Sequence, residues 1–447
     1  MAADTCDNVL HSLDGGYHIT MMGDRENMLV LRDRYCTGLA VIELFHDRII
    51  RITGFHEKDY PTEYADIILK FIRTYHYRLA EDAAFDLGLS VVKFDEGEEY
   101  YYTAKELTQH RLRRFMRSGR KVQIIINGIK KSRFSVPKYT RDCVLNLTRA
   151  RIKKLIVSKK ASAAIDIRDN PFIDAVSVDD SFNGSLNLSR SSVTDIVLGD
   201  NCRCNLTMNY SGKCFNLKIG DVYSGVLEIR DSCFHMLEIG YYSYANIKLS
   251  ENWGKKGIKI GSSFRGNLIA DSVYLKDLSV GDDCRGKIFI KSKSSHDKGL
   301  KHIELADDFG GELDIGSSQT VESVDIGAKA TGKLKISGCP AIKVLRFEEY
   351  FTGWSDLSRS GIMYIKARKG CDGEFILLNC RDFTLFELPK DCHPKINIDR
   401  TPLEVSRDND SIYYKFHERR LPDEYFTPLY IQWYKDIKKF FRRRFHA

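Results

Sequence analysis

Long hydrophobic runs are missing from this chain of 447 residues. Residues 1–20 are polar and acidic near their start, unlike a secretory signal peptide. No stretch approaches the ~20 apolar residues that a membrane-spanning helix needs. Cys-x-x-Cys pairs are also missing, which removes the usual zinc and redox signatures. Cys202 and Cys204 stand too close in sequence for an ordinary disulfide, so the cysteines are expected to be reduced core thiols of a cytosolic protein. No glycine-rich phosphate cradle is present. Charge is nearly balanced, at 69 Lys and Arg against 61 Asp and Glu. Most of the net +8 is assigned to the last thirteen residues, from Lys435, which hold six Lys or Arg and one Asp. Nucleic acid is therefore not expected as a partner.

What the chain has is a repeat. Residues 226–245, 246–266 and 267–286 follow one pattern of about 20 or 21 residues. Each unit carries two short alternating runs. Leu206/Met208, Leu227/Ile229, Ile247/Leu249 and Ile288/Ile290 belong to the first run. Leu217/Ile219, Ile258/Ile260, Leu278/Val280 and Val324/Ile326 belong to the second. Alternation at period two puts one face in and one face out, so both runs read as strands. Gly follows the second run at Gly199, Gly220, Gly240, Gly261, Gly281 and Gly327, and another Gly closes the unit at Gly225, Gly266, Gly286, Gly311, Gly332, Gly353 and Gly373. These glycines are expected to adopt backbone angles closed to other residues. Between them runs a column that includes Phe182, Cys202, Tyr223, Phe264, Cys284, Phe309 and Phe351, expected to point inward.

The fold class that follows is mainly β: a parallel β-helix, or β-solenoid, with a small N-terminal α+β cap domain and a C-terminal amphipathic helix. A leucine-rich solenoid is the alternative, but Gly stands where its Asn would be. The domains read as 1–120 (cap), 121–399 (solenoid) and 400–447 (C-terminal segment). In the cap, residues 1–22 read as a loose leader, and strands are expected at 28–31, 39–45 and 49–53. Helices are expected from Pro61 to about Leu79 and, opened by a Thr103–Glu106 capping box, from there to Arg117. Arg111, Arg113, Arg114, Arg117, Arg120 and Lys121 make that second helix basic: either a solvated face or a face for an acidic or phosphate-bearing partner.

Candidate chemistry is sparse. Acidic residues recur after the second strand at Asp179/Asp180, Asp200, Asp221, Asp282/Asp283, Asp307/Asp308 and Glu348/Glu349. They read as turn chemistry, against cation binding or acid–base work on a polysaccharide. His296 and Asp297, with His302 nearby, mark a loop inserted in one long coil; Trp354 and Arg359 mark an irregular one. No residue is assigned to catalysis, and no cofactor or metal is expected. The period is not a multiple of six, which removes a hexapeptide acyltransferase. The membrane- or partner-binding residues are assigned to the C-terminal helix: Trp433, Tyr434, Lys435, Ile437, Lys438, Lys439, Phe440, Phe441, Arg442, Arg443 and Arg444. An aromatic stripe beside cations is the pattern of a helix lying in a membrane interface, or of one capping the last coil.

The coil from Gly266 to Gly286, with Asn267-Leu268-Ile269-Ala270 and Leu278-Ser279-Val280-Gly281-Asp282-Asp283-Cys284, resembles those of bactofilins, bacterial β-helical proteins that form polymers. The resemblance covers the solenoid alone and implies a cytosolic, nucleotide-independent, often membrane-associated scaffold. This chain departs from the pattern in its longer and more numerous coils and its folded N-terminal domain. The expected function is a non-enzymatic cytoplasmic scaffold, peripheral on the inner face of an anionic membrane. The expected partners are protein chains along the coils, that membrane and a second copy of the chain. The alternative is a β-helix protein acting on polysaccharide.

Overall fold

A computed structural model describes residues 9–13, 15–22, 25–54, 61–291, 299–398, 404–407 and 411–415. The protein is mainly β and contains a parallel β-solenoid of about 13 turns after a small N-terminal sheet. It divides into two compact units, Met1–Cys233 and Phe234–Ala447.

The N-terminal sheet has six strands in sequence order: β1 (Val9–Leu13), β2 (Tyr17–Met22), β3 (Arg25–Arg32), β4 (Gly38–Phe45), β5 (Arg48–Gly54) and β6 (Arg78–Leu79). Neighbours are antiparallel up to β5, and β6 joins parallel. The first of these strands corrects the expected loose leader. Residues 9–22 form a hairpin whose turn uses Gly15 and Gly16 at φ +79° and +80°. Helix α1 (Ala65–Tyr75) lays Ala65, Ile68, Leu69, Phe71 and Ile72 on the sheet's buried Ile19, Leu31, Ile42 and Ile52. It stops earlier than expected, because His76 takes a left-handed conformation and Leu79 enters the sheet. A short helix α2 (Glu81–Asp86), absent from the sequence reading, follows.

Strands β7 (Ser90–Phe94) and β8 (Glu99–Tyr102) form a hairpin, and β7 lies antiparallel on the first solenoid strand, β9 (Val122–Val136). The capping box forms: Thr103 N–H donates to Glu106 Oε2 at 3.0 Å and Glu106 N–H to Thr103 Oγ1 at 3.4 Å. The helix it was expected to open starts later, however. In α3 (Gln109–Met116) the N-cap is Thr108, whose hydroxyl accepts Arg111 N–H.

In the first unit β10 (Cys143–Val157) pairs parallel with β9, then with β11 (Ser162–Asp166) through its first half and β12 (Ala175–Val178) through its second. Two sheets arise this way. In the second unit Asn246–Ser250, Asn267–Asp271 and Lys287–Lys291 stack in one sheet, while Trp253–Ile260, Asp277–Val280 and His302–Leu305 stack in the other. Strands at both positions of the coil match the two alternating runs and separate the fold from a leucine-rich solenoid, where one side carries helix or 3₁₀ turns. The second unit ends as the first begins. Leu385–Pro389 pairs antiparallel with Ser411–Lys415, which also pairs with Glu404–Arg407.

At most of the corners the reason given for glycine is corrected, although Gly225 does take a positive φ of +156°. Left-handed backbone belongs mostly to other residues: Ser181, Asn201 and Val222 in the first unit, and Ser263, Asp283, Asp308, Lys329 and Tyr350 in the second. Each precedes an inward residue of the buried column, from Phe182, Cys202 and Tyr223 to Phe264, Cys284, Phe309, Ala330 and Phe351. The glycines answer to contact between coils instead. A Cβ on Gly266 would stand 2.0 Å from the Ala245 carbonyl oxygen, and one on Gly311 2.2 Å from that of Gly286. Coil spacing near 4.8 Å leaves no room for it.

Cysteines also depart from expectation. Cys214 and Cys233, on neighbouring coils, form a disulfide with their Cα atoms 4.5 Å apart. Cys143, Cys202, Cys204, Cys284, Cys339, Cys371 and Cys392 are buried free thiols. Burial pushes the Cys204 thiol up to about 12 and Cys284 to about 11, which makes them poor nucleophiles.

Candidate functional site

The acidic columns serve the backbone. Asp180 and Asp200 each accept the N–H of the equivalent residue one coil on, Asp200 at 3.1 Å and Asp221 at 2.8 Å. In the second unit Asp282 and Asp307 do the same for Asp307 N–H and Ala328 N–H. This is the expected turn chemistry, extended into a ladder. Among the described residues no cluster of three or more His, Cys, Asp or Glu could hold a metal ion. His302 contacts Ser323 Oγ at 2.8 Å and stands 3.6 Å from Asp325. Arg359 is a left-handed corner residue, and Trp354 begins a short strand with its ring half-buried. His296, Asp297 and all eleven assigned residues from Trp433 to Arg444 lie outside the described residues.

The strongest feature on the described surface was not singled out in the sequence. Residues 130–160 hold eleven Lys or Arg and one acid, Asp142. Counting the excess charge over the whole chain assigned it to the C-terminus and hid this local balance. Strands β9 and β10 explain the arrangement. Each runs unbroken for 15 residues, past the point where later coils turn at Asp169, Arg190 or Tyr210. Asn127 fixes the bend in β9: its buried amide donates to Phe85 O at 3.2 Å, and its backbone exchanges hydrogen bonds with Ser90 Oγ. Beyond the bend, Lys130 stands opposite Arg151 and Arg133 opposite Lys154. All four are exposed, as are Arg149 and Lys153. Lys138 follows the end of β9, Arg141 precedes β10, and Lys159 and Lys160 follow its end. Among the described residues none of the eleven side chains makes an ion pair; their neighbours Arg120, Lys121, Arg168 and Arg190 all do.

Aromatic rings are set among the cations. The Arg149 guanidinium lies 3.7 Å from the Phe85 ring centre and Arg151 lies 5.0 Å from Phe172, which is 45% exposed. Lys138 lies 4.5 Å from the centre of Tyr139, which is 50% exposed. Hydrogen bonding and charge from Lys138, with Lys160 and Lys159 beyond, pull the Tyr139 phenol below its ordinary value. Near Arg149, the Asp86 carboxyl is raised by burial first, with Arg149 and Arg51 acting against the rise.

Like charges directly opposite on paired strands cost stability. Seven lysines and four arginines thus lie on these two strands and the turns beside them, with Tyr139 and Phe172 exposed nearby. The sequence signal that would have found it is the 21-residue interval between Lys130 and Arg151 and between Arg133 and Lys154, one coil in each case.

No family model, curated protein or solved structure matches the chain.

Proposed function

We propose that this protein is a non-enzymatic scaffold that docks on an anionic membrane through the cationic face of β9 and β10 and offers its later coils to protein partners. The observation that carries the reading is the set of eleven cations without ion pairs among the described residues, four of them facing one another as two like-charge pairs across the strands. A lysine or arginine near an anionic leaflet contributes about 1 kcal/mol. Five or six engaged at once outweigh the repulsion among them. Exposed Tyr139 and Phe172 support the reading as rings that would sit at a headgroup boundary. The assigned C-terminal residues, Trp433 to Arg444, have the same chemistry in sequence and serve as a second attachment.

Flotation with vesicles tests the reading. The full chain is expected to float with phosphatidylserine-containing vesicles and not with phosphatidylcholine alone. Lys130→Gln/Arg151→Gln/Lys154→Gln is expected to weaken binding by at least about tenfold. Unchanged flotation of that variant sinks the assignment to β9 and β10.

Single-stranded nucleic acid is the competing polyanion, favoured by the Arg149–Phe85 and Arg151–Phe172 stacks. An oligonucleotide that binds more tightly than the vesicles, and is lost in the same variant, selects it instead.

A further inference from the structure

A second cationic feature of the first unit differs in kind from the sheet face. Between α1, β8 and α3 lies a pocket of about 550 Å³, within the range of small-molecule sites. Arg73, Arg111, Arg114 and Arg120 line it, together with the rings of Tyr102 and Phe115. One carboxylate, Glu106, is also in the wall, and it is fully engaged. Arg73 Nη1 and Nη2 donate to its two oxygens at 2.9 and 3.1 Å, while Arg73 Nη2 also donates to Tyr101 O at 2.8 Å. That clamp fixes Arg73 and holds the Glu106 carboxyl below its ordinary value, chiefly through the Arg73 hydrogen bond.

The other guanidinium groups retain donors. Arg111 donates once, to Glu106 O at 3.0 Å, and stacks 5.1 Å from the Tyr102 ring centre. Arg114 is exposed and has no ion pair among the described residues. Arg120 is held by Glu96 and Glu98 at 2.6 and 3.1 Å and lies over Phe94. The pocket therefore combines free planar donors suited to phosphate oxygens with half-buried aromatic faces. An inorganic anion would use only the donors, and a lipid headgroup has no ring for the faces. We infer that this pocket binds a nucleoside phosphate, with the phosphates on Arg111 and Arg114 and the base against Tyr102 and Phe115. The inference stands apart from membrane docking, since it uses none of the residues 130–160.

Calorimetric titration of the full chain with ATP and with tripolyphosphate tests it. ATP is expected to bind at least about tenfold more tightly than tripolyphosphate, the difference being the stacked base. Arg111→Gln/Arg114→Gln is expected to lose at least about tenfold for both ligands. Tyr102→Leu is expected to bring ATP down to the level of tripolyphosphate. Lys130→Gln/Arg151→Gln/Lys154→Gln is expected to bind ATP as the parent does. The inference is overturned if ATP shows no saturable binding at millimolar concentration, or if tripolyphosphate binds as tightly as ATP. It is equally overturned if the sheet-face variant loses ATP as much as the pocket variant does. Thermal melts of each variant confirm folding. Should Tyr102→Leu not fold, the exposed Arg114→Gln alone is expected to lose ATP affinity, and no loss counts against the site.

Discussion

The first strand pair of the solenoid and the coils of the second unit share one architecture and differ in whether their outward charges are answered by ion pairs among the described residues. On β9 and β10, Lys130 faces Arg151 and Arg133 faces Lys154. In the second unit Glu312 sits between Lys287 at 3.9 Å and Lys335 at 2.6 Å. Arg346 pairs with Asp325 at 3.0 Å, Lys301 with Glu322 at 2.8 Å and Lys366 with Glu387 at 3.4 Å. A parallel in-register stack brings equivalent side chains within about 5 Å of each other coil after coil. Each outward column must then alternate in sign, stay neutral, or be answered by ion pairs or by something outside the chain. In the second unit Glu304 faces Asp325 and Arg346 faces Lys366, but ion pairs within the chain, such as Arg346 with Asp325 and Lys366 with Glu387, answer these charges. On the first strand pair no ion pair among the described residues answers the cations, and the proposed docking rests on that difference.

The comparison can be broken most directly by imposing the second unit's rule on the first. Lys130→Glu/Lys154→Glu makes both cross-strand pairs opposite in sign. Vesicle binding is expected to fall by roughly hundredfold or more, since four units of charge change at about 1 kcal/mol each; retained binding in a co-sedimentation assay would break the contrast. Next in size is the covalent tie in the first unit. Cys214→Ser is expected to lower stability by about 3 kcal/mol for a loop of this length. Denaturant titration of parent and variant should show that loss.

The same Lys130→Glu/Lys154→Glu variant is expected to be more stable than the parent by about 1 kcal/mol, because repulsion becomes attraction across two pairs. A gain in melting temperature with a loss of binding is the signature of a surface kept for a partner. The smallest effect belongs to the second unit. Glu312→Gln is expected to cost about 0.5 kcal/mol, as partly exposed ion pairs do. The Lys335 hydrogen bond holds the Glu312 carboxyl below its ordinary value of 4.5. Its stabilisation is therefore present above that value and is lost as pH falls through the lowered one. Parent and variant should converge in stability as pH falls below that lowered value, and a constant gap would refute the pairing.

The repeat was legible in the sequence because period two is a direct image of strand geometry. Leu278/Val280 and Ile258/Ile260 are buried as the alternation requires. The glycine columns were visible but their cause was not, since it lies in the carbonyl of the preceding coil. The left-handed corners were invisible for a different reason. Ser181, Val222, Asp283 and Lys329 share a backbone conformation and no side-chain chemistry. In the cap, Thr103 and Glu106 gave a true capping box but a false helix start, because a second cap at Thr108 stands five residues on. The cationic face needed register. Lys130 and Arg151 become neighbours only when the coil length is applied to charges as it was to hydrophobes.

The antiparallel pairing of β7 on β9 has a consequence for synthesis. A parallel coil gains its hydrogen bonds only from a neighbour already in place, so a solenoid begun in mid-air would have no template. Here the cap and its hairpin leave the ribosome before any coil does. Each emerging coil meets a finished edge, pairs with it and becomes the edge for the next. The nascent chain thus grows in one direction from the edge that β7 covers, which limits exposure of unpaired strand on a polysome.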